Sequence, residues 1–461
     1  MSLDHWVAAC LVPVALWILL SGLDDLLVDA VYFFARRQPF PWPREQALDS
    51  RPQQRIAILV PLWREHAVIG QMLRHNLSVI RYNNYDIFVG AYPNDGPTLA
   101  AVNTAARESP RVHVAICPHA GPTSKGDCLN WAYQGMTEYE SAAGAHFEIV
   151  VVHDAEDLIH PDSLLLMNWF ARDYHMVQVP VLPLASGLSE WTHGLYCDEF
   201  AEFQLKDIPV RQRMGGFVPS NGVGTGYRRG ALEFLRRSYG CVFDAECLTE
   251  DYETGFRIFA AGFRQLFVPI RFQPCGPVAT REYFPRRARA AVRQRSRWVT
   301  GIALQGWQRH GWRVPRRQLY WLWRDRKGLA GNLISLAANG LLLASAATYG
   351  YSVAAGQAWL FAAATPPWIP AMCTASLGLA VVQTSLRAYF STQIYGAAFA
   401  CLAPLRIFWA NAVNCAATLA ALGQFARARL KRRSLAWRKT DHRYPSGEYL
   451  LHLQETAAKN I

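Results

Sequence analysis

No Cys-x-x-Cys pair occurs in this chain, and its 10 cysteines are scattered, with Cys373, Cys401 and Cys415 inside apolar stretches. That pattern supports neither a zinc site nor a disulfide framework, and it suits a reducing cytoplasm with buried thiols. Internal repeats and low-complexity tracts are also missing. The amino terminus lacks a basic stretch before its first apolar run and a small-residue cleavage site after it, which argues against a cleaved leader. Acids are the minority charge, 35 Asp+Glu against 47 Lys+Arg, for a net charge of +12 and a pI near 9.3. The basic residues cluster beside apolar segments, at Arg36-Arg37, Arg281 to Arg297, Arg309 to Lys327 and Arg427 to Lys439. Such placement marks a cytoplasmic membrane surface and anionic lipid, and it excludes nucleic acid as the expected partner.

What the chain has in quantity is apolar residues, 51% of 461, with 16 Trp. Its mean hydropathy of +0.01 averages polar and very apolar stretches that are segregated along the chain. Trp6 to Leu23 carries no charge and is long enough to cross a hydrocarbon layer of ~30 Å. The helix is expected to continue past Asp24 and Asp25 to Phe34, with those acids contacting another helix, because paired acids facing lipid are costly. Residues 1–37 therefore form an expected membrane helix and 38–54 a Pro- and Arg-rich linker. The stretch 301–328, where Trp307, Trp312, Trp321 and Trp323 alternate with arginines, suits the headgroup region. Residues 329–387 give two apolar runs joined at Thr365-Pro366-Pro367, a membrane hairpin. The apolar segment 388–426 is interrupted by Pro404, Arg406, Asn411 and Asn414, so it is expected at the interface or as a fourth crossing. Residues 427–461 read as a basic cytoplasmic tail.

Residues 55–300 alternate short apolar strands with helical patterns. Strands are expected at Ile56 to Val60, Ile87 to Ala91, Val112 to Cys117, Phe147 to His153 and Val177 to Leu182. Helices fall at His66 to Ile80, Thr98 to Glu108, Lys125 to Met136 and Ser163 to Tyr174. This alternation predicts an α/β nucleotide-binding domain, a mostly parallel sheet with helices on both faces. Ligands of such sheets bind at the carboxyl ends of the strands, where Asp95 and Asp154 both fall.

Four signals carry chemistry. The acidic run Asp154-Ala155-Glu156-Asp157 after a buried strand offers carboxylates to Mg2+ or Mn2+, which prefer oxygen ligands and can neutralise a leaving diphosphate. Asp95 in Asn94-Asp95-Gly96 is suited to the base or ribose, although Asn-Asp-Gly alone is also an ordinary turn. Thr249-Glu250-Asp251 opens a helix with Thr249 as its cap, and Asp251 is positioned as general base; acids in a first turn also serve the helix dipole. Gln294-x-x-Arg297-Trp298 supplies a guanidinium for a diphosphate and an indole face for a sugar, or else an interfacial anchor. Lys125 in Ser124-Lys125-Gly126 could meet a nucleotide at a helix start. Gly222-Val223-Gly224-Thr225-Gly226 lies too deep in the domain for a dinucleotide motif and is expected as a loop lining the donor pocket.

Together these residues resemble the family 2 glycosyltransferases with a GT-A fold, which include the processive cellulose, hyaluronan and chitin synthases. Within them the chain is similar to the NfrB-type inner-membrane enzymes, the phage N4 adsorption protein B family, over residues 1 to 445. Supporting stretches are Val60-Pro61-Leu62-Trp63-Arg64-Glu65, Ser186-Gly187-Leu188, Gly224-Thr225-Gly226, Trp323-Arg324-Asp325-Arg326-Lys327-Gly328 and Trp437-Arg438-Lys439-Thr440-Asp441-His442. The resemblance implies a donor pocket of Pro61, Glu65, Asp95, Lys125, Asp154, Gly224 and Arg297. It implies a catalytic set of Asp251, Glu250, Arg297, Trp298 and Gln294, and a metal site of Asp154 with Glu156 or Asp157. Glu156 stands where the family often has Asp, so the choice between Glu156 and Asp157 stays open. Longer members carry a regulatory domain after the membrane part; the chain stops at Ile461, so cyclic dinucleotide control is not expected. The implied activity is inverting transfer from a UDP-sugar to a growing polysaccharide at the cytoplasmic face of the inner membrane, with a homo-oligomer or export partner completing the route. Single-sugar transfer to a lipid carrier, and a scaffold for export or phage entry, are the alternatives.

Overall fold

The computed structural model describes residues 3–35, 40–273, 276–359, 365–432, 435, 439, 442–447 and 449–450. Arg36, Arg37, Pro39, Trp437, Arg438, Thr440, Asp441 and residues 451–461, which belong to stretches singled out above, lie outside the described residues.

The strands are β1 (Ile56–Pro61), β2 (Tyr85–Ala91), β3 (Val112–Ile116), β4 (Ile149–Val152), β5 (Met176–Gln178), β6 (Val181–Pro183), β7 (Thr225–Arg228), β8 (Gln265–Phe267), β9 (Phe272–Gln273), β10 (Gly276–Pro277) and β11 (Thr280–Glu282). A seven-stranded sheet runs in the order β3-β2-β1-β4-β7-β5-β8. β1 and β4 are aliphatic along nearly their whole length, and β2 is buried along all of its length, because both faces are covered. Alternate residues divide between two cores. Ile56, Ile58 and Val60 pack with Ile69, Met72 and Leu73 on one face, while Ala57 and Leu59 pack with Leu129, Ala132 and Met136 on the other. The helices Ile69–Val79 and Lys125–Ala143 thus cover opposite sides of the sheet.

The glycine-rich stretch expected as a loop departs from expectation in its second half. Thr225–Arg228 forms β7, antiparallel to β4 and β5, with Val152 opposite Thr225. The antiparallel sense brings the loop before β7 to the same sheet edge as the carboxyl end of β4, and so to the site. The expected Val177 to Leu182 strand divides into β5, in the main sheet, and β6, which pairs with β11. In the linker, Glu45–Ser50 is helical and buries Leu48.

By length and composition, four helices among the described residues could cross a membrane: Cys10–Phe34, Arg316–Ala354, Trp368–Tyr395 and Ala403–Leu430. The stretch 301–328 is not one interfacial segment. Its first part continues from Ala288–Trp298 through a π-helical Val299–Gln305 to Gly306–His310, and the chain breaks at Gly311 (φ +54°). Its second part is the start of Arg316–Ala354. The segment expected at the interface or as a fourth crossing holds one continuous helix, Ala403–Leu430, which is among the four candidate spans. Pro404 lies in its first turn, where a missing N–H costs nothing. The other residues that interrupt it meet protein partners, Arg406 on Asp198, Asn411 on Asn339 and Asn414 on Arg295 and Glu199. Asp24 and Asp25 contact another helix, as expected, through Arg324 and Lys327.

Candidate active site

A cavity of about 460 Å³ opens at the carboxyl edge of the sheet and reaches toward the membrane helices. The end of β1 gives it Pro61, Trp63 and Glu65, and the end of β4 gives Asp154 and Glu156. Lys125 enters from the start of its helix, whose first turn is capped by the Ser124 side chain accepting from the Asp127 N–H. Leu248 to Tyr252 brings Glu250 and Asp251, and the helix Ala288–Trp298 brings Gln294, Arg297 and Trp298. Acids separated by about a hundred residues thus share one cavity with the guanidinium and indole.

Three expected site residues do not reach it. Asp157 is fully buried beneath the acidic turn, its Oδ2 accepting the Asp154 N–H at 2.9 Å and standing 2.7 Å from His153 Nδ1. The turn therefore sends Glu156, not Asp157, to the cavity. The Asp95 carboxylate is buried and accepts the Arg64 N–H at 2.5 Å, which fixes the loop after β1. Gly224 serves as backbone: at φ +59° its N–H donates to the Val152 carbonyl, and a Cβ there would strike the Thr280 side chain. Thr249 precedes the helix Glu250–Ala260 as expected, but its hydroxyl makes no cap bond.

Charge in the cavity is tightly coupled. Lys125 Nζ lies 2.7 Å from Asp154 Oδ1 and donates to the Gly222 carbonyl at 3.2 Å. Burial alone would lower its pKa, but the charges of Asp154, Glu250 and Asp251 raise it, so the ammonium persists at neutral pH. Burial and the neighbouring Asp251 push Glu250 up to about 8. Burial raises Asp251 too, opposed by Lys125 and Arg297. Asp251 fits against Gly222, where a Cβ would come within 2.5 Å of its Oδ2, so a side chain at 222 would displace the carboxylate. Among the described residues Arg297 makes no ion pair, and its buried Nε has no hydrogen-bond partner. Trp298 is half-buried in an aromatic cluster, its ring centroid 6.1 Å from Tyr196, 6.3 Å from Phe200 and 6.4 Å from Phe284.

Asp154 and Glu156 are suited to a divalent cation. Glu156 Oε2 is buried without a hydrogen bond; His442 Nδ1 stands 3.0 Å away but aligns its bond with Glu65. Among the described residues no cluster of three or more His, Cys, Asp or Glu side chains could hold a metal by itself. Hard cations such as Mg2+ commonly take only one or two protein carboxylates and complete their shell with phosphate and water.

Sequence reasoning gave no site role to several residues of the cavity wall. Glu282, on β11, is held well above the usual carboxylate range by burial and by Glu156, Asp157 and Asp154. Phe200, Phe203, Asp207, Asp325 and Arg387 form the side nearest the membrane helices. His442 lies beyond the last membrane helix. Asp325 and His442 stand in two of the stretches that carry the family resemblance, and the others stand in no local pattern; Phe203–Asp207 is a π-helical turn, an irregularity often found at functional sites.

Residues 52–301 match the family model described as Glycosyltransferase like family 2. The chain is 36% identical to Bacteriophage adsorption protein B of Escherichia coli (strain K12), over 94% of this chain and 62% of that protein. The same values hold for Bacteriophage N4 adsorption protein B of Escherichia coli O157:H7. The chain thus spans less than two thirds of the length of these relatives. Its structure is similar to that of a mannosyltransferase from Pyrobaculum calidifontis in complex with GDP-Man and Mn2+, with a TM-score of 0.53 at 18% identity over 87% of this chain and 99% of that one. At that identity the likeness is one of fold, and it agrees with the GT-A architecture expected from the sequence.

Proposed function

The chain belongs to glycosyltransferase family 2, and on that basis we propose that it transfers a hexosyl or N-acetylhexosaminyl group, with inversion, from a UDP-sugar to a growing polysaccharide at the cytoplasmic face of the inner membrane. The supporting observation is the meeting of Asp154, Asp251, Arg297 and Trp298 in one cavity beside the membrane helices. Asp251 takes the proton of the acceptor hydroxyl as that oxygen bonds to the anomeric carbon and the bond to the diphosphate breaks. Lys125 and Arg297 supply positive charge to the leaving diphosphate. Trp298 offers a face on which the acceptor sugar stacks. Mg2+ or Mn2+, held by Asp154 and Glu156, would neutralise the same leaving charge. Basic clusters beside the candidate spans support the cytoplasmic orientation.

Because the cavity reaches Asp325 and Arg387 on the membrane helices, a lipid-linked acceptor is the second reading. The names of the relatives favour a third, a role in an envelope or phage-adsorption complex. Purified protein in lipid, given a panel of labelled UDP-sugars with Mg2+ or Mn2+, tests all three. The proposal expects cation-dependent label in a polymer. A single added residue on lipid replaces it with the second reading. No transfer from any donor, together with full complementation in cells by an Asp154→Ala, Asp251→Ala double variant, replaces it with the third.

A further inference from the structure

A second cavity, open on one side and of about 540 Å³, shares no lining residue with the active site; Trp312, Arg316, Leu319, Tyr320 and Trp323 line it. The local sequence builds it. Gly311, at φ +54°, takes a backbone conformation that suits glycine and ends the helix Gly306–His310. Arg326 holds that break, donating to the Gly311 carbonyl at 2.6 Å and the Gly306 carbonyl at 3.1 Å, and its guanidinium lies 4.5 Å over the Trp312 ring. Across the cavity from Trp312, Arg316, Leu319, Tyr320 and Trp323 follow at i, i+3, i+4 and i+7 of the helix Arg316–Ala354, so they share one face. The Tyr320 hydroxyl is anchored to Asp24 of the first membrane helix at 2.7 Å.

The two ends of this groove differ in chemistry. At one end Arg313, Arg316 and Arg317 are exposed and make no ion pair among the described residues, and the sequence carries no acid between Glu282 and Asp325. At the other, the same helix continues as a candidate span whose apolar window no protein covers, with Leu336, Leu342 and Leu343 exposed. Between them the indole N–H groups of Trp312 and Trp323 make no hydrogen bond among the described residues. Arg316 and Trp323 stand seven residues apart, ~10 Å along the helix, a length that suits a phosphate at one end and the first acyl carbons at the other.

We propose that this groove binds one anionic glycerophospholipid, its phosphate on Arg316 with Arg313 adding charge, and one acyl chain along Leu319 and Trp323. Unpaired guanidiniums match phosphate oxygens, and indoles with free N–H groups suit the boundary between headgroup and acyl chain. Basic pockets at the ends of membrane helices are where anionic headgroups settle. The groove also joins two parts of the molecule. Trp312 follows the helical run that carries Arg297 and Trp298, and Tyr320 is tied to the first membrane helix, so a bound lipid fixes the seat of the sheet domain on the bilayer.

The test measures lipid retained by the full chain in mild detergent, by native mass spectrometry, after incubation with phosphatidylglycerol or phosphatidylcholine of the same acyl chains. The unaltered protein is expected to keep one phosphatidylglycerol at a roughly tenfold lower concentration than phosphatidylcholine. The double variant Arg313→Gln, Arg316→Gln is expected to lose most of that preference. An equal removal of charge beside another span, Arg427→Gln with Arg429→Gln, is expected to leave it. Phosphatidylglycerol brominated on its upper acyl carbons is expected to quench a smaller fraction of the tryptophan fluorescence in Trp323→Phe than in the unaltered protein, which places the acyl chain. The replaced arginines are exposed and unpaired, so the thermal midpoint should hold; if it falls, the single variant Arg316→Gln decides the preference by the same reading. Equal retention of the two lipids overturns the proposal, as does an equal loss of preference in the Arg427, Arg429 variant or undiminished quenching in Trp323→Phe. Displacement of the lipid by glycerol 3-phosphate at a similar concentration also overturns it, because the groove would then hold free phosphate. The glycosyltransferase reading stands under each of these results.

Discussion

Buried ionisable groups occur on the membrane side and in the cavity, and the two regions treat many of them differently. On the membrane side each charge has a close partner. Asp24 and Asp25 meet Arg324 and Lys327, Lys206 lies 2.8 Å from Asp29 and 2.7 Å from Glu202, Arg387 lies 2.8 Å from Glu202, and Arg406 holds Asp198 at 2.6 Å. In the cavity Lys125 pairs with Asp154, but Glu250, Asp251, Glu282 and Arg297 make no ion pair among the described residues, and Glu250 is pushed up to about 8. Partnered charges fix how the sheet domain sits on its helices, and their desolvation is offset inside the protein. Ionisable groups left without an ion-pair partner in a cleft keep their interaction energy for a ligand, which is why perturbed carboxylates mark functional sites.

The contrast can be broken most sharply at Asp154, which faces both Lys125 and the expected cation. Asp154→Ala is expected to abolish detectable sugar transfer and Mn2+-dependent UDP binding while the thermal midpoint stays within a few degrees; loss of folding would place Asp154 with the structural set. Next is Arg297→Ala, expected to lower kcat roughly 100- to 1,000-fold, as for removal of one preorganised donor to a developing anion. Its fold should persist in a thermal scan, since Arg297 anchors no ion pair. Arg406→Ala reverses the outcome: leaving Asp198 buried without its cation, with only the Ser391 hydroxyl as a side-chain donor, costs about 3–5 kcal/mol of stability. Denaturant titration would show that loss, while activity per folded molecule is retained.

The smallest effect is one of pH. Folding holds Glu250 in its protonated form, from an ordinary value of 4.5 up to about 8, so its contribution is fully present below about 4.5 and is lost as pH rises through about 8. Glu250→Gln mimics the protonated side chain. Its thermal midpoint is expected to match the unaltered protein below pH 4.5 and to exceed it above pH 8. Equal midpoints at both ends would show that Glu250 is solvated rather than constrained.

Much of this was legible in the sequence where the signal is local. Ile149-Val150-Val151-Val152 followed by acids places a buried strand with carboxylates at its end, and the structure has both. The strand Thr225-Gly226-Tyr227-Arg228 was not legible, because it is short, carries glycine and has no apolar alternation. Pro404 and Arg406 left an interfacial segment and a fourth crossing both open, since a sequence shows neither the first-turn position that tolerates proline nor the distant Asp198 that accepts the guanidinium. Within the site, residue type predicted which acids gather but not which way they turn: Asp157 points inward to His153, and Asp95 to the Arg64 backbone. Glu65 and His442 each stand in a stretch that carries the family resemblance, but no local pattern shows that they meet across 377 residues.

The most direct test of the catalytic assignment is a paired measurement on Asp251→Asn: Mn2+-dependent UDP binding, and transfer of labelled sugar under saturating donor. With the carboxylate lost as base but the cavity intact, binding should remain as in the unaltered protein and transfer should fall roughly 100- to 10,000-fold. Transfer at the unaltered rate would contradict the role of Asp251 and, with it, the reading of this cavity as a glycosyl-transfer site.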